Sequence, residues 1–176
     1  MISRSRRDHR QLSAARSRGQ ALVEFAMVAP IFLLMLFAVI DFGRYIYYVQ
    51  VLNNAAREGA RYAIVHGTNS FPSSGPPVSG KTSTDPTGAD VVAIARNYAV
   101  GVIGNSTILQ ICPYWMHADS PAPPPETSPT CTPGDGTNAR EQLIVVRITY
   151  QFRSVIPVVP IPPITITGES TLVINN

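Results

Sequence analysis

The sequence predicts an α+β protein: a long N-terminal helix with transmembrane and protruding parts, a short second helix, and a small, mostly antiparallel C-terminal sheet. Three observations carry this prediction. Phe25 to Ile40 form an uncharged run, FAMVAPIFLLMLFAVI, whose helical periodicity continues well beyond it. LIVVRITYQF, within residues 142–153, alternates apolar and polar positions as a half-buried strand does. Two proline-rich stretches, PAPPPETSPTCTPGDG and PVVPIPP, cannot occupy the middle of a sheet because proline lacks the ladder N–H, so they divide the C-terminal half into short strands.

The first element follows from length and charge. Starting at Ala21, twenty residues contain one charge, Glu24. At about 1.5 Å per residue they span roughly the 30 Å hydrocarbon core of a bilayer. The competing reading, a buried core helix, needs a domain large enough to enclose a helix that is apolar on every side, and 176 residues give only one modest domain. Six of the fourteen basic residues lie within the first nineteen positions, and only Arg44 follows the run closely. Basic flanks stay on the cytoplasmic side, which predicts an N-terminus inside and a C-terminal domain outside the cytoplasmic (inner) membrane. A cleaved secretory signal is disfavoured because no small-x-small site follows the run. Arg6-Arg7 is a poor twin-arginine signal, being followed by Asp8 and His9. Pro30 lies inside the span, where it removes a backbone donor and can kink the helix.

Beyond the span, Tyr45, Tyr48, Val49, Leu52, Ala56, Gly59 and Ala63 recur at helical spacing, so one helix from about Ala21 to Val65 is expected. Its stripe becomes rich in small residues in NNAAREGARYA and is expected to pack on the chain's own outer domain, with Asn54, Arg57, Glu58 and Arg61 on a polar side. The predicted organisation is a basic cytoplasmic leader at 1–19, the long helix at 20–66 with its transmembrane part at about 21–40, a Gly/Pro/Ser loop at 67–88, and an extracytoplasmic α+β domain at 89–176. The loop reads as exposed. Asp85 and Pro86 suggest the cap and first turn of a short helix that buries Val91, Val92, Ala95 and Ala99. A strand is expected over roughly Thr107 to Trp115. ITITGESTLVI supplies one more strand, or a pair broken at Gly168.

The net charge of +3 is a property of the N-terminus alone. Residues 20–176 hold eight basic against ten acidic residues, which argues against a nucleic-acid surface. No phosphate-binding glycine loop, nucleophile elbow or paired catalytic acids occur, so no catalytic and no cofactor-binding residue is assigned and no enzyme is predicted. His9, His66 and His117 are scattered among unrelated segments. Cys112 and Cys131 are the only cysteines and fall on the predicted outer side, where a disulfide is expected. A metal site would need ligands beyond His117 and Asp119 and matches no compact zinc spacing, so no metal ligand is assigned. The sequon at Asn105 carries little weight for a bacterial-looking chain.

GQALVEF, Gly19 to Phe25, joins the basic segment to the apolar helix. Glycine gives a protease access to the backbone because it lacks a side chain and resists helix formation. A carboxylate drawn into lipid needs a partner, such as the amino terminus of another helix in an assembly, although an acid at a helix start is also favoured by the helix dipole alone. The stretch from Arg18 to about Ala63 resembles the N-terminal region of the TadE-like family, minor pilins or pseudopilins of tight-adherence pilus systems. The resemblance rests on Gly19, Glu24 with Phe25, Pro30, Asp41, Gly43, Arg44, Ala55, Ala56, Arg57, Ala60 and Arg61, and continues more weakly in IVVRITYQF and the prolines after it. It implies a pilin-like arrangement and cleavage by a prepilin peptidase after Gly19, leaving Gln20 as the first residue. Glu24 and Phe25 then act in assembly. The implied partners are other pilins or pseudopilins, the peptidase, the inner-membrane pilus assembly machinery and membrane lipid. The contrasting expectation is an uncleaved, single-pass anchored binding or assembly module.

Overall fold

The computed structural model describes residues 5–103, 110–120, 131, 134–155 and 162–175. Helix α1 spans Ser5–Val65, α2 spans Ala89–Ile103, and three strands follow: β1 Gln110–Met116, β2 Leu143–Phe152 and β3 Ile164–Val173. The α+β class is as expected. Helical structure reaches back to Ser5, into the segment read as a basic leader, and α1 contains Pro30 without ending there. Thr107, the Asn105 sequon and most of the two proline-rich stretches lie outside the described residues.

The chain divides into two units, Met1–Gly43 with Val155–Pro160, and Arg44–Ser154 with Ile161–Asn176. In the first, the apolar side chains of α1 are exposed, Phe25 by 69% and Ile31 by 70%. Asp41 differs from its neighbours, being only 8% exposed. Its carboxylate accepts a hydrogen bond from the Val155 N–H at 3.0 and 3.2 Å.

The second unit holds the core. Its sheet is antiparallel in the order β1-β2-β3. One face of β2 presents Ile144, Val146, Ile148 and Phe152, all buried, against Leu52, Ala55, Ala56, Ala60 and Ala63 of α1 and Val91, Ala95 and Ala99 of α2. Small residues on α1 allow the close approach. A Cβ at Gly59 would lie 3.1 Å from the Ala95 Cβ, and one at Gly168 would lie 2.5 Å from the Leu52 carbonyl carbon. That contact explains why Gly168 does not break the last segment into two strands. The glycine sits mid-strand, opposite Ile148, because the helix backbone occupies the space of its side chain. Beside it, Asn53 of α1 accepts a hydrogen bond from the Glu169 N–H at 3.3 Å, satisfying a donor the strand leaves unpaired.

Two expectations change. Helix α2 begins at Ala89, not at Pro86, because Gly88 adopts φ 74°, a left-handed conformation that interrupts the turn. Asp85 still caps the helix, its carboxylate accepting from the Ala89 and Asp90 N–H groups, both at 2.9 Å. Residues 67–88 lack regular elements, yet Ser73 and Ser74 are buried. Ser74 and Asp85 form an isolated parallel bridge. The hub is Asn138, 1% exposed: its N–H donates to Pro76 O at 2.8 Å, its side-chain amide to Ser74 O at 3.2 Å, and its carbonyl accepts from the Thr68 N–H at 2.9 Å. β1 is buried on both faces, and its end lies at Met116, with Cys112, Tyr114 and Met116 packed with Val145 on the face away from the helices.

Replacing Gly168 by alanine forces a methyl group into the Leu52 backbone. Urea unfolding of the variant is expected to show a loss of about 1–3 kcal/mol, the usual cost of overpacking, with an unchanged slope. An unchanged midpoint would contradict the packing described.

Candidate functional site

GQALVEF lies wholly on α1 and wholly exposed. A Cβ at Gly19 would have nothing within 4 Å. Gln20 and Glu24 stand four residues apart, on one face of the helix, while Phe25 is rotated about 100° from Glu24. Among the described residues Glu24 has no hydrogen-bond or ion-pair partner in this single chain. Helix α1 is the one helix, among the described residues, long and apolar enough to cross a membrane, and none of its most apolar stretch is buried in the protein.

The structure therefore does not gather the predicted processing and assembly residues, Gly19, Gln20, Glu24 and Phe25, into a pocket with other side chains. It leaves them displayed along one helix. Cys112 and Cys131 are joined by a disulfide with a Cα–Cα distance of 5.2 Å, which ties Cys131 to β1. His66 stacks on Tyr62 at 3.9 Å and its Nδ1 lies 2.8 Å from Tyr62 O, a local helix-end arrangement. No cluster of three or more His, Cys, Asp or Glu side chains suited to a metal occurs among the described residues.

Asp41 entered the sequence reading only through the family resemblance, while Asn53 and Asn138 escaped it; Asp41 also had a signal of its own, as the only acid between Glu24 and Glu58. Asn53 and Asn138 had none, since their partners lie far away in the chain. In the second unit, aromatic side chains collect where α1 meets the open end of β2. Tyr48 lies 5.4 Å from Tyr150 and 5.7 Å from Phe152, and Tyr45 packs edge-on to Phe152 at 5.9 Å. The Arg44 guanidinium lies over the Tyr48 and Phe152 rings at 5.7 and 5.5 Å. Burial and the neighbouring Tyr48 push the Tyr150 hydroxyl above its ordinary pKa, opposed by the positive charges of Arg44 and Arg153.

The fold and this display define a class: a single exposed apolar helix that continues into the core of a small α+β domain. Within that class, residues 19–61 match the family described as TadE-like protein. No curated protein and no solved structure gives a match to the chain. The chain thus carries a TadE-like region over residues 19–61.

Two measurements probe the second unit. Reduction of Cys112–Cys131 is expected to lower unfolding stability by about 3 kcal/mol, the chain-entropy value for a loop of this size, read by urea titration with and without reductant. Asp85 makes stability pH-dependent. Burial pushes its carboxyl up, but hydrogen bonds from Asp90 N–H, Ala89 N–H, Ser74 and Thr87 outweigh this and hold its pKa below the ordinary value. A lowered folded pKa stabilises the fold above the unfolded value of about 4, and that contribution is lost as pH falls through the folded value. Asp85→Asn should therefore flatten the fall in stability below about pH 4 and cost roughly 1 kcal/mol at neutral pH.

Proposed function

We propose that the protein is a TadE-like minor pilin or pseudopilin that supports assembly of an adhesive, tight-adherence pilus and is processed by a prepilin peptidase after Gly19. The observation that carries this reading is Gly19 itself. It stands in open space, so no packing demands a glycine there, and its backbone φ is that of an ordinary helical residue. Alanine at this position would stabilise the helix by about 1 kcal/mol. A residue that weakens the helix and relieves no contact is accounted for by an external requirement, and a protease that must unwind the bond it cuts supplies one. The TadE-like match also begins at this residue.

On this reading residues 1–19 are the cytoplasmic leader and residues 21–40 hold the chain in the inner membrane with its α+β domain outside, as the clustered N-terminal arginines favour. Cleavage creates an amine on Gln20, and the unpartnered Glu24 carboxylate is then available to the amine of a neighbouring pilin helix. Other pilins and the inner-membrane assembly machinery are the partners. Catalysis belongs to the peptidase.

Mass spectrometry of the protein from cells containing a prepilin peptidase is expected to find Gln20 as the first residue. Gly19→Ala, or deletion of the peptidase, should leave the leader attached. Glu24→Gln should be cleaved normally but recovered several-fold less with assembled pili. An intact Met1 terminus in the peptidase-positive strain would sink the processed-pilin reading in favour of an uncleaved anchored module.

A further inference from the structure

The two edges of the sheet are finished differently. On β1 the backbone groups of residues 113 and 115 face away from β2. Pro113 has no N–H to offer there, the Gly136 N–H donates to Trp115 O at 2.8 Å, and Gly134 and Gly136 lie so close to the Trp115 and Met116 backbone that a Cβ would collide. On β3 the Glu169 N–H turns away from β2 to Asn53, while the Ile174 N–H donates to Gln142 O at 2.9 Å on the β2 side. Residues 169, 171 and 173 therefore direct their N–H and C=O groups to the open side, because these directions alternate along an antiparallel strand. Asn53 takes up the Glu169 N–H alone. Thr171 and Val173 are exposed, Val173 by 45%, and no hydrogen bond from the described residues reaches their outward groups. The β1 edge thus carries devices that prevent pairing with another strand, and β3 from Ser170 to Val173 carries none.

Charge indicates what the open edge takes. Beside it lies a cavity of about 810 Å³, whose lining includes Ser170 and Thr171 of β3 with Arg57, Glu58, Arg61 and Ile64 of α1, all within the second unit. That lining holds two guanidinium groups against one carboxylate. Glu58 bridges to Arg61 at 3.3 Å, and Arg57 has no ion-pair partner among the described residues. Gly168 meets Leu52, and Ser170 to Leu172 share the cavity with Arg57, Arg61 and Ile64, so helix and strand advance in the same direction. Arg57 and Arg61, four residues apart, stand about 6 Å apart along the helix axis. Alternate residues of a strand added beside β3 would stand about 6.8 Å apart on the face toward α1, which matches that spacing. On the opposite face Glu169 already holds Arg147 at 2.7 Å, so the counter-charge for an acidic strand lies on the helix side.

We propose that the β3 edge from Ser170 to Val173 takes up an extended segment of a partner protein that carries acidic residues at alternate positions. The backbone of that segment pairs with Thr171 and Val173, and its carboxylates reach Arg57 and Arg61. Main-chain hydrogen bonds hold the added strand, while the alternate acids fix its register and select the partner. This surface belongs to the second unit alone and does not depend on processing at Gly19.

The test uses the full chain in detergent micelles and a fluorescent peptide of alternating glutamate and valine, with a lysine and valine peptide as the charge control. Anisotropy reads binding, and infrared spectra of the peptide labelled at its carbonyl carbons read its conformation. The glutamate peptide is expected to bind about tenfold or more tighter than the lysine peptide, with its carbonyl band at the β-sheet position. Arg57→Glu together with Arg61→Glu should weaken it by about tenfold or more. Thr171→Pro removes an outward N–H, as Pro113 does on β1, and should abolish binding while the Cys112–Cys131 disulfide still forms. N-methylation of the peptide removes the same bonds from the other side and leaves the protein unaltered: methylating one alternating set of residues should abolish binding, and methylating the other should not. Binding that survives both methylations, or equal binding of the glutamate and lysine peptides, would overturn the proposal. So would sedimentation showing a dimer that Thr171→Pro dissociates, since a second copy would then hold the edge.

Discussion

Everything in the folded domain depends on how closely the backbone of α1 approaches the sheet. At Leu52 and Gly168 there is no room for a side chain on the strand, and beside them the Asn53 side-chain oxygen accepts a hydrogen bond from the strand's Glu169 N–H. Ala55, Ala56, Gly59, Ala60 and Ala63 continue this thin seam. A helix so close to a sheet gains contact from Leu52 to Ala63 but tolerates no rotation there, because turning it by one residue would drive Asn54 or Arg57 into Ile144, Val146 and Ile148. The sheet and α2 are therefore locked to one face of α1 between Leu52 and Ala63.

That lock matters because two parts of α1 make opposite demands. Its second half is amphipathic and needs a protein partner, which the sheet and α2 provide. The run from Phe25 to Ile40 is apolar all round, and the folded chain buries none of the most apolar stretch. A helix of the latter kind is stable where every backbone group is satisfied internally and every side chain meets hydrocarbon. Asp41, with its carboxylate closed on the Val155 N–H, lies near the changeover, and a buried, hydrogen-bonded acid is the form in which a carboxylate can sit beside an apolar environment.

What the sequence made legible was periodic. The helical stripe through Leu52, Ala56 and Ala63 and the alternating face of β2 are buried as their spacing implies, and Cys112 with Cys131 is bridged. What stayed hidden depended on distant partners. Gly168 reads as a possible break until Leu52 is found against it. The Gly/Pro/Ser segment reads as exposed because its composition is that of a loop, while its burial comes from Asn138, about seventy positions away, and from Asp85, whose carboxylate serves Ser74, Thr87 and the start of α2 together. The start of α2 shifted for a local reason, since a Pro in a first turn and a Gly just beyond it compete and the left-handed Gly88 prevailed. The candidate processing residues show the opposite limit: their types and order were readable, but among the described residues they stand exposed and gathered into no pocket.

The TadE-like match covers residues 19–61 and none of the sheet. It thus takes in two kinds of surface on one helix, the exposed apolar part and most of the small-residue seam. The two impose different demands. The apolar part demands length and hydrophobicity, which many combinations of aliphatic residues meet. The seam needs small side chains at fixed positions, because any domain that packs there must come as near as Gly168 does. A region carrying both specifies how a domain is mounted without specifying the domain. In this chain Gly168 is the strand residue that meets Leu52, and β2 brings Ile144, Val146 and Ile148 to the same seam.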